Sequence, residues 1–261
     1  MRKNGPKDSG AEATVATPSV ETTSTGELAP RSPVTSLRWF GRGDPPLLLS
    51  AGRRSFTMGA GGCDLVVPRA ASTQVAALHA TLTREGTGLR VIDHDSAHGT
   101  YRALRGPRVV AMQVEAGDVF WLGDVALLAM DDGLEELRAQ VAWCVGLDRH
   151  VAIDEAIETI AEGRPLVLHG PRGTDAARLA RAIHAVGPQR RGRFVAATAT
   201  ELPQVERGES ATVFLDLDQV RRLPAHYVAR LFERGQATRT IIATAELRRA
   251  RQMLDSYGAR A

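Results

Sequence analysis

Cysteine is scarce in this chain, which contains only Cys63 and Cys144. The two residues lie in segments that we assign to different domains, and neither has the neighbouring cysteine or histidine of a metal-binding spacing. We therefore expect two structural thiols, and neither a metal site nor a cofactor.

Long apolar runs are also missing from the sequence. No stretch reaches the length needed to cross a bilayer, and the N-terminal residues Met1-Arg2-Lys3-Asn4 lack the apolar core of a signal peptide. These absences predict a cytoplasmic protein that does not insert into a membrane.

Net charge is small. The value of +3, with a pI near 9.2, comes from many arginines and few lysines. Arginine pairs such as Arg190-Arg191, Arg221-Arg222 and Arg248-Arg249 are of a type that can meet nucleic acid phosphates. The small excess of positive charge favours solvated helix faces instead, so direct DNA binding is not expected.

The length of 261 residues, with 43% hydrophobic and 24% charged residues, is enough for two modest globular domains. Residues 1–34 have almost no large apolar side chain and predict a disordered tail. We divide the rest into a β domain at 35–131, a connecting helix at 132–149 and an α/β domain at 150–261.

Alternating apolar and polar residues characterise the β domain. Leu78, Ala80 and Leu82 alternate before Gly86-Thr87-Gly88, and Leu89 and Val91 alternate after it, which predicts a hairpin. Two further strands are predicted as unbroken segments, 109–114 and 119–130. Many short strands separated by glycine or proline favour an all-β sandwich.

A series of motifs in this region resembles the forkhead-associated (FHA) family. They are, in order, Met58-Gly59-Ala60, the segment 64–68, Ala76-Ala77-Leu78-His79-Ala80, the segment 93–100 and the segment 116–123. The resemblance spans residues 36–130. It implies a β-sandwich that binds phosphothreonine peptides through loops at one end.

The phosphate-binding pattern is incomplete, because Ala60 replaces an arginine and Ala76-Ala77 replace Ser-Arg. His98 replaces the commoner asparagine, which the family tolerates. The residues that remain as candidates for the phosphopeptide site are Arg53, Arg54, Arg69, Ser72, Thr73, His79, Ser96, His98, Gly99, Thr100 and Arg102. Phosphothreonine binding and binding without phosphate are both left open by this pattern, with a preference for the first.

The C-terminal half alternates between helix and strand patterns, which predicts a parallel sheet with covered faces. Predicted helices cover 133–147, 152–161, 176–185, 225–232 and 247–254, and predicted strands cover 166–168, 194–196, 213–215 and 241–243.

A glycine-containing turn follows the first of these strands, at Gly170-Pro171-Arg172-Gly173-Thr174. A phosphate-binding loop has this context but ends in Gly-Lys-Ser/Thr, where the lysine supplies positive charge to a nucleotide. Asp175 and Ala176 stand at the last two places, and we expect Asp175 to serve the new helix as an N-terminal partner. The strand 212–216 ends in Asp216 with Leu217 in place of the glutamate that orients water.

Residues 152–254 resemble the AAA+ domain of sigma-54-dependent transcription activators, through Ala182-Ile183-His184, Phe214-Leu215-Asp216 and Ile242-Ala243-Thr244 among other segments. The resemblance implies a P-loop NTPase-like fold. The lysine, the glutamate and the sensor asparagine of that family are replaced here, the last by Ala245. We therefore predict a non-enzymatic pseudo-ATPase with a degenerate nucleotide site at Gly170, Gly173, Thr174, Asp175, Ala176 and Asp216.

These inferences together predict a bacterial signalling adaptor that recognises a threonine-phosphorylated protein, with a Ser/Thr kinase or a transcription activator among its partners. Two alternatives stay open, an ATP-binding regulator of the sigma-54 activator type and a phosphate-independent scaffold. The oligomeric state is not predicted.

Overall fold

A computed structural model describes residues 32–197, 210–220 and 238–256. The predicted tail, apart from its last residues, and the predicted helix at 225–232 lie outside these ranges. Within them, no helix is long and apolar enough to cross a membrane.

Residues 36–130 form two facing β-sheets. The first has the strand order β2-β1-β11-β10-β7-β8 and the second the order β4-β3-β5-β6-β9. Neighbouring strands are antiparallel except for β3 and β4, which are parallel. The strands are β1 Ser36–Trp39, β2 Leu47–Leu48, β3 Ser55–Gly59, β4 Leu65–Val66, β5 Ala80–Glu85, β6 Gly88–Asp93, β7 Thr100–Tyr101, β8 Arg108–Val109, β9 Ala111–Val114, β10 Val119–Leu122 and β11 Val125–Met130.

The predicted hairpin is confirmed as β5 and β6, although Leu78 lies before β5 and is exposed. Within the hairpin, Leu82 is paired with Val91. Both side chains are buried between the sheets, as the alternation requires. Gly86 adopts a φ of 61° in the connecting turn, which a glycine does without strain.

Two of the predicted strands differ from the structure, and so does the last residue of the predicted tail. The segment 109–114 is divided into β8 and β9, and 119–130 is divided into β10 and β11 by a turn at Gly123 with φ 59°. At Val110 the chain passes from the first sheet to the second inside an apolar run, whereas the second break is at Gly123-Asp124, a pair typical of turns. Val34, assigned to the tail, is buried, and its N–H donates to the Thr87 carbonyl at 2.9 Å.

The C-terminal half is built of four described helices and a parallel sheet, as the alternating pattern predicted. The described strands have the order β12-β15-β14-β13, and every neighbouring pair is parallel. The elements are α1 Asp132–Val145, α2 His150–Ala161, β12 Leu166–His169, α3 Ala176–Val186, β13 Arg193–Ala196, β14 Ala211–Asp216, β15 Thr238–Thr244 and α4 Leu247–Ser256.

Helices α1 and α2 pack directly against the sandwich, so one hydrophobic core continues from the β-sheets into the helices. Asp154 of α2 is completely buried; it binds the Arg138 guanidinium at 2.7 Å and accepts the backbone N–H of Gly41 at 2.8 Å. Gly117, in the turn before β10, lies against Ala161. The predicted connecting helix is therefore part of the core, and the division into domains at residue 150 stays a prediction.

Candidate functional site

Three loops meet at one end of the sandwich. They are the β4–β5 loop (67–79), the β6–β7 loop (94–99) and the β10–β11 turn (123–124). The N–H of Gly123 donates to the Gly99 carbonyl at 2.9 Å, and the Ser72 hydroxyl donates to the Asp124 carboxylate. Loops held by a rigid sheet in this way present a defined surface to a ligand.

Asp93, at the end of β6, organises this surface. Its carboxylate accepts the Ser96 N–H at 2.9 Å, the Ser96 hydroxyl at 2.7 Å, the Thr100 hydroxyl at 2.6 Å and the Arg108 guanidinium at 2.7 Å. Burial raises the pKa of Asp93, but these donors together outweigh it and lower the pKa to about 2. The buried carboxylate is therefore ionised at neutral pH.

His79 joins the β4–β5 loop to the β6–β7 loop from a fully buried position. Its Nδ1 accepts the Ala76 N–H at 3.2 Å, and its Nε2 lies 3.1 Å from the Gly99 carbonyl oxygen and 2.9 Å from the Ser96 hydroxyl oxygen. A neutral imidazole protonated on Nε2 satisfies all three contacts. Burial lowers the pKa of His79, which keeps the ring in that form.

Four of the predicted site residues are brought together here, namely His79, Ser96, Gly99 and Thr100. All four are buried, so they shape the loops and do not offer their side chains to a ligand. Ser96 shows this most clearly, because its hydroxyl donates to Asp93 and accepts the Gly99 N–H at 3.0 Å. A phosphate contact from the Ser96 hydroxyl is not supported by this geometry.

Arg53 and Arg54 lie away from the three loops. They precede β3, whereas Gly59 ends it, and a five-residue strand separates its two ends by about 13 Å. The Arg54 carbonyl accepts the N–H of Arg84, which stands at the hairpin-turn end of β5. The Arg53 guanidinium binds Asp64 at 2.6 Å. The structure therefore does not bring these two arginines to the three loops, and their part in a phosphate site stays a prediction.

The other predicted residues divide into two groups. Ser72 is buried, and Arg102 donates to the Gln113 carbonyl of strand β9 at 2.8 Å. Arg69, Thr73 and His98 are exposed on the β4–β5 and β6–β7 loops. These three are the predicted residues that are accessible on the β4–β5 and β6–β7 loops, and Arg102 is exposed after β7.

The positions at which the family carries its phosphate contacts are occupied by small side chains in close contact. The Ala60 N–H donates to the Ala76 carbonyl at 2.8 Å. A Cβ on Gly59 would lie 2.1 Å from the Ala77 carbonyl oxygen, so the strand end and the β4–β5 loop touch directly. The alanines preserve the loop path but supply no positive charge.

Sequence reasoning missed Arg108, which binds both Asp93 and Asp95, the latter at 3.3 Å. Its side chain lies against Gly99, where a Cβ would be 2.9 Å from the Arg108 Cδ. No motif marks this arginine; the pairing of Tyr101 with Arg108 brings it to the loop. That register depends on a turn whose geometry the sequence leaves undefined.

The glycine-containing turn after β12 is closed on itself. The Thr174 hydroxyl and N–H both donate to the Pro171 carbonyl, at 2.7 and 3.2 Å, and Gly173 has a φ of 88°. Asp175 accepts the Arg178 N–H at 3.0 Å and caps α3, which begins at Ala176, as the sequence predicted.

The end of β14 and the loop after β12 line the same cavity. Gly170, Gly173, Thr174, Ala176 and Asp216, all predicted for the degenerate nucleotide site, are among its lining residues. The Asp216 carboxylate accepts the Asp218 N–H at 3.0 Å and the Gln219 side-chain amide at 2.8 Å. The carboxylate of Asp175 is instead used in the helix cap.

Comparison with known proteins gives a family for the sandwich. Residues 49–123 match the FHA domain family. Among solved structures, the chain is 22% identical to Mycobacterium tuberculosis EmbR in complex with a low-affinity phosphopeptide (38% of this chain, 24% of that chain, TM-score 0.32). It is 23% identical to the FHA-1 domain of M. tuberculosis Rv1747 (38% and 99%, TM-score 0.31).

The FHA domain of CT664 from Chlamydia trachomatis is 18% identical, with 37% of this chain and 95% of that chain covered and a TM-score of 0.31. No curated protein matches the chain. The family match ends at residue 123, so the resemblance of the C-terminal half to AAA+ domains rests on its motifs alone. Residues 49–123 of this chain are an FHA domain.

Proposed function

We propose that this chain is a cytoplasmic signalling adaptor whose FHA domain binds proteins phosphorylated on threonine. The observation that carries the proposal is the intact loop framework around Asp93, His79 and Gly99, inside a segment that matches the FHA family. FHA domains use loops at this end of the sandwich for phosphothreonine peptides. A Ser/Thr kinase, or a regulator that it phosphorylates, is the corresponding partner.

We expect the phosphate to be bound weakly. Three positions that carry phosphate contacts in the family are Ala60, Ala76 and Ala77, and each charge-assisted bond that is missing is worth about 1.5–3 kcal/mol. Loss of two such bonds weakens binding about a hundredfold or more. The exposed side chains of Arg69, Thr73 and His98 remain to supplement backbone N–H groups.

Binding of the full chain to paired peptides, identical except for phosphate on threonine, tests the proposal. We expect selective binding of some phosphorylated peptides, and a loss of selectivity in Arg69→Ala and His98→Ala. Arg54→Ala is the matched control, because it removes an exposed arginine from the opposite end of β3. Equal binding of phosphorylated and unphosphorylated peptides would instead establish a phosphate-independent scaffold.

For the C-terminal half we propose a docking surface without ATPase activity. The absence of lysine at the end of the glycine-containing turn, the use of Asp175 as a helix cap and the closed Thr174–Pro171 contact all support this. Titration with Mg·ATP and a phosphate-release assay on the full chain test it. Tight ATP binding would support the alternative of a sigma-54-activator-like regulator, and steady hydrolysis would overturn the assignment as a non-enzyme.

A further inference from the structure

A cavity of about 590 Å³ lies between the helices and the edge of the parallel sheet. This volume is in the range of small-molecule sites, about 300–1,000 Å³. Its apolar wall comes from all three helices that pack there and from β12, through residues such as Val141, Ile160, Leu168, Leu179 and Ile183. The wall can therefore accept a hydrocarbon or aromatic body.

The other end of the cavity is polar and lies where the strands end. Asp216 is the last residue of β14, Thr244 is the last residue of β15, and Asp218 lies in the turn after β14. Ligands of open parallel sheets bind at the carboxyl ends of strands. Asp218 accepts the Ala245 N–H at 2.9 Å, and Asp216 accepts two donors, so both carboxylates keep acceptor capacity for a ligand.

Carboxylates outnumber permanent cations among the residues that line the cavity in the described part of the chain. Among the described lining residues, the carboxylates of Asp216 and Asp218 stand beside one permanent cation, Arg172. The Arg172 guanidinium is itself 3.6 Å from the Glu246 carboxylate, in an exposed ion pair. The carboxylates would repel a polyphosphate and attract an ammonium or amidinium group.

We propose that the cavity binds a small amphipathic cation, with an apolar body between α1, α2 and α3 and an amino group at Asp216 and Asp218. The proposal is independent of phosphopeptide binding, because every residue that it uses lies in the C-terminal half. It also differs from a residual nucleotide site in the sign of the ligand charge.

Three dansyl probes with the same aromatic body distinguish these possibilities. Dansylcadaverine carries an ammonium group, its N-acetyl derivative is neutral, and dansyl-6-aminohexanoate carries a carboxylate. We expect the full chain to bind dansylcadaverine about tenfold more tightly than the carboxylate probe, with the neutral probe between them. The double substitution Asp216→Asn and Asp218→Asn should abolish this order of affinities, and the variant should still bind the neutral probe.

Cys144 supplies a second readout, because it lines the cavity and is exposed to solvent. In a Cys63→Ser variant, dansylcadaverine should slow alkylation of Cys144 severalfold. Leu179→Trp should fill the cavity and remove both the binding of the probes and the protection of Cys144. If Leu179→Trp does not fold, the Asp216→Asn, Asp218→Asn variant still tests the proposal. Absence of probe binding, equal affinity for all three probes, or tighter binding of Mg·ATP than of dansylcadaverine would overturn the proposal.

Discussion

Ser96 binds Asp93 twice, through its backbone N–H at 2.9 Å and through its hydroxyl at 2.7 Å. The same hydroxyl accepts the Gly99 N–H, so a single buried serine fixes both ends of the β6–β7 loop. Because Ser96 and Asp93 are buried, these bonds act on the shape of the loop, and any ligand meets the backbone that they hold in place.

The ionised Asp93 carboxylate should make the FHA domain sensitive to acid. Its pKa is about 2 in the folded chain and near 3.8 ordinarily, so the unfolded chain takes up the proton first as pH falls. The ionised Asp93 therefore contributes about 2–3 kcal/mol to the free energy of unfolding above about pH 4, and this contribution is lost between about pH 4 and pH 2. Asp93→Asn should lower the free energy of unfolding at pH 7 by about 3 kcal/mol.

Urea unfolding of the wild type and Asp93→Asn between pH 2.5 and pH 7 measures this effect. The two stabilities should converge as the pH falls through the window. A constant difference across the whole range would contradict an ionised Asp93 in the folded chain. Thr57→Val, which removes a hydroxyl donor from the exposed Asp64, is a control that should have a much smaller effect.

His79 should oppose folding when it is protonated. Its pKa is lowered mainly by burial, so the unfolded chain binds the proton first, and the penalty appears as pH falls below about 6.5. Burial also lowers the pKa of His184, so the wild type alone does not isolate one histidine. The difference in unfolding free energy between the wild type and His79→Gln should shrink as pH falls from 7 to 5.

Nuclear magnetic resonance of the imidazole nitrogens gives an independent measurement. Nδ1 of His79 should be unprotonated at pH 7, because it accepts the Ala76 N–H. The ring nitrogens of the exposed His98 serve as the internal reference for the chemical shifts. A His79 ring that carries protons on both nitrogens at pH 7 would be inconsistent with the described contacts.

Periodicity was sufficient to predict the hairpin β5–β6 and the parallel orientation of the C-terminal strands. The position of Asp175 before a helical pattern predicted its place at the N-terminus of α3. Each of these depends on residues close in sequence or on a repeated pattern. The bend at Val110 was missed because the apolar run continues through it. The turn at Gly123-Asp124 was missed although both residue types are typical of turns. The docking of α1 and α2 on the sandwich depends on Asp154 and Gly41, which are 113 residues apart, and no local pattern reports such a contact.

The candidate site was predicted unevenly for the same reason. The motif around Asp93 identified the loop framework, since its donors lie within seven residues of the carboxylate, apart from Arg108. Arg53 and Arg54 were chosen because their charge could replace the missing arginine. Sequence distance from Gly59 did not reveal that β3 places them at its opposite end.

The contact of Gly117 with α2 should not tolerate a side chain. Gly117 has a φ of 96°, and a Cβ there would lie 1.9 Å from the Ala161 Cβ. Gly117→Ala should lower the free energy of unfolding by about 3 kcal/mol, through backbone strain of about 1–2 kcal/mol and overpacking of similar size. Thermal and urea unfolding of the full chain measure it.

A double-mutant cycle separates the two causes. Ala161→Gly removes the steric clash but not the strain, so Gly117→Ala combined with Ala161→Gly should recover about half of the loss. Gly61→Ala, at an exposed glycine with open space around its Cβ position, is the matched control and should change stability by less than about 0.5 kcal/mol. If the double variant is destabilised as much as Gly117→Ala alone, the loss of stability is due to the backbone strain at residue 117 and not to the steric clash.

Two buried arginines should respond differently to substitution by methionine. Arg138 binds the completely buried Asp154 at 2.7 Å, so Arg138→Met leaves a carboxylate without its cation and should cost about 3–5 kcal/mol. Arg239 is also buried, and its Nη1 donates to the Ile160 carbonyl at 3.1 Å. Its Nε and Nη2 have no hydrogen-bond partner in the described parts of the chain.

Burial lowers the pKa of Arg239 to about 10, which is the mark of a cation whose solvation has not been replaced. Arg239→Met should therefore leave stability unchanged or raise it by about 1–3 kcal/mol, as measured by urea unfolding beside Arg138→Met. After burial, the Arg239 charge is the largest cause that lowers the pKa of His184, so that pKa should rise in Arg239→Met and stay unchanged in Arg138→Met. If Arg239→Met destabilised the protein as much as Arg138→Met, the Arg239 guanidinium would have to be paired in solution, and the contrast between the two sites would fail.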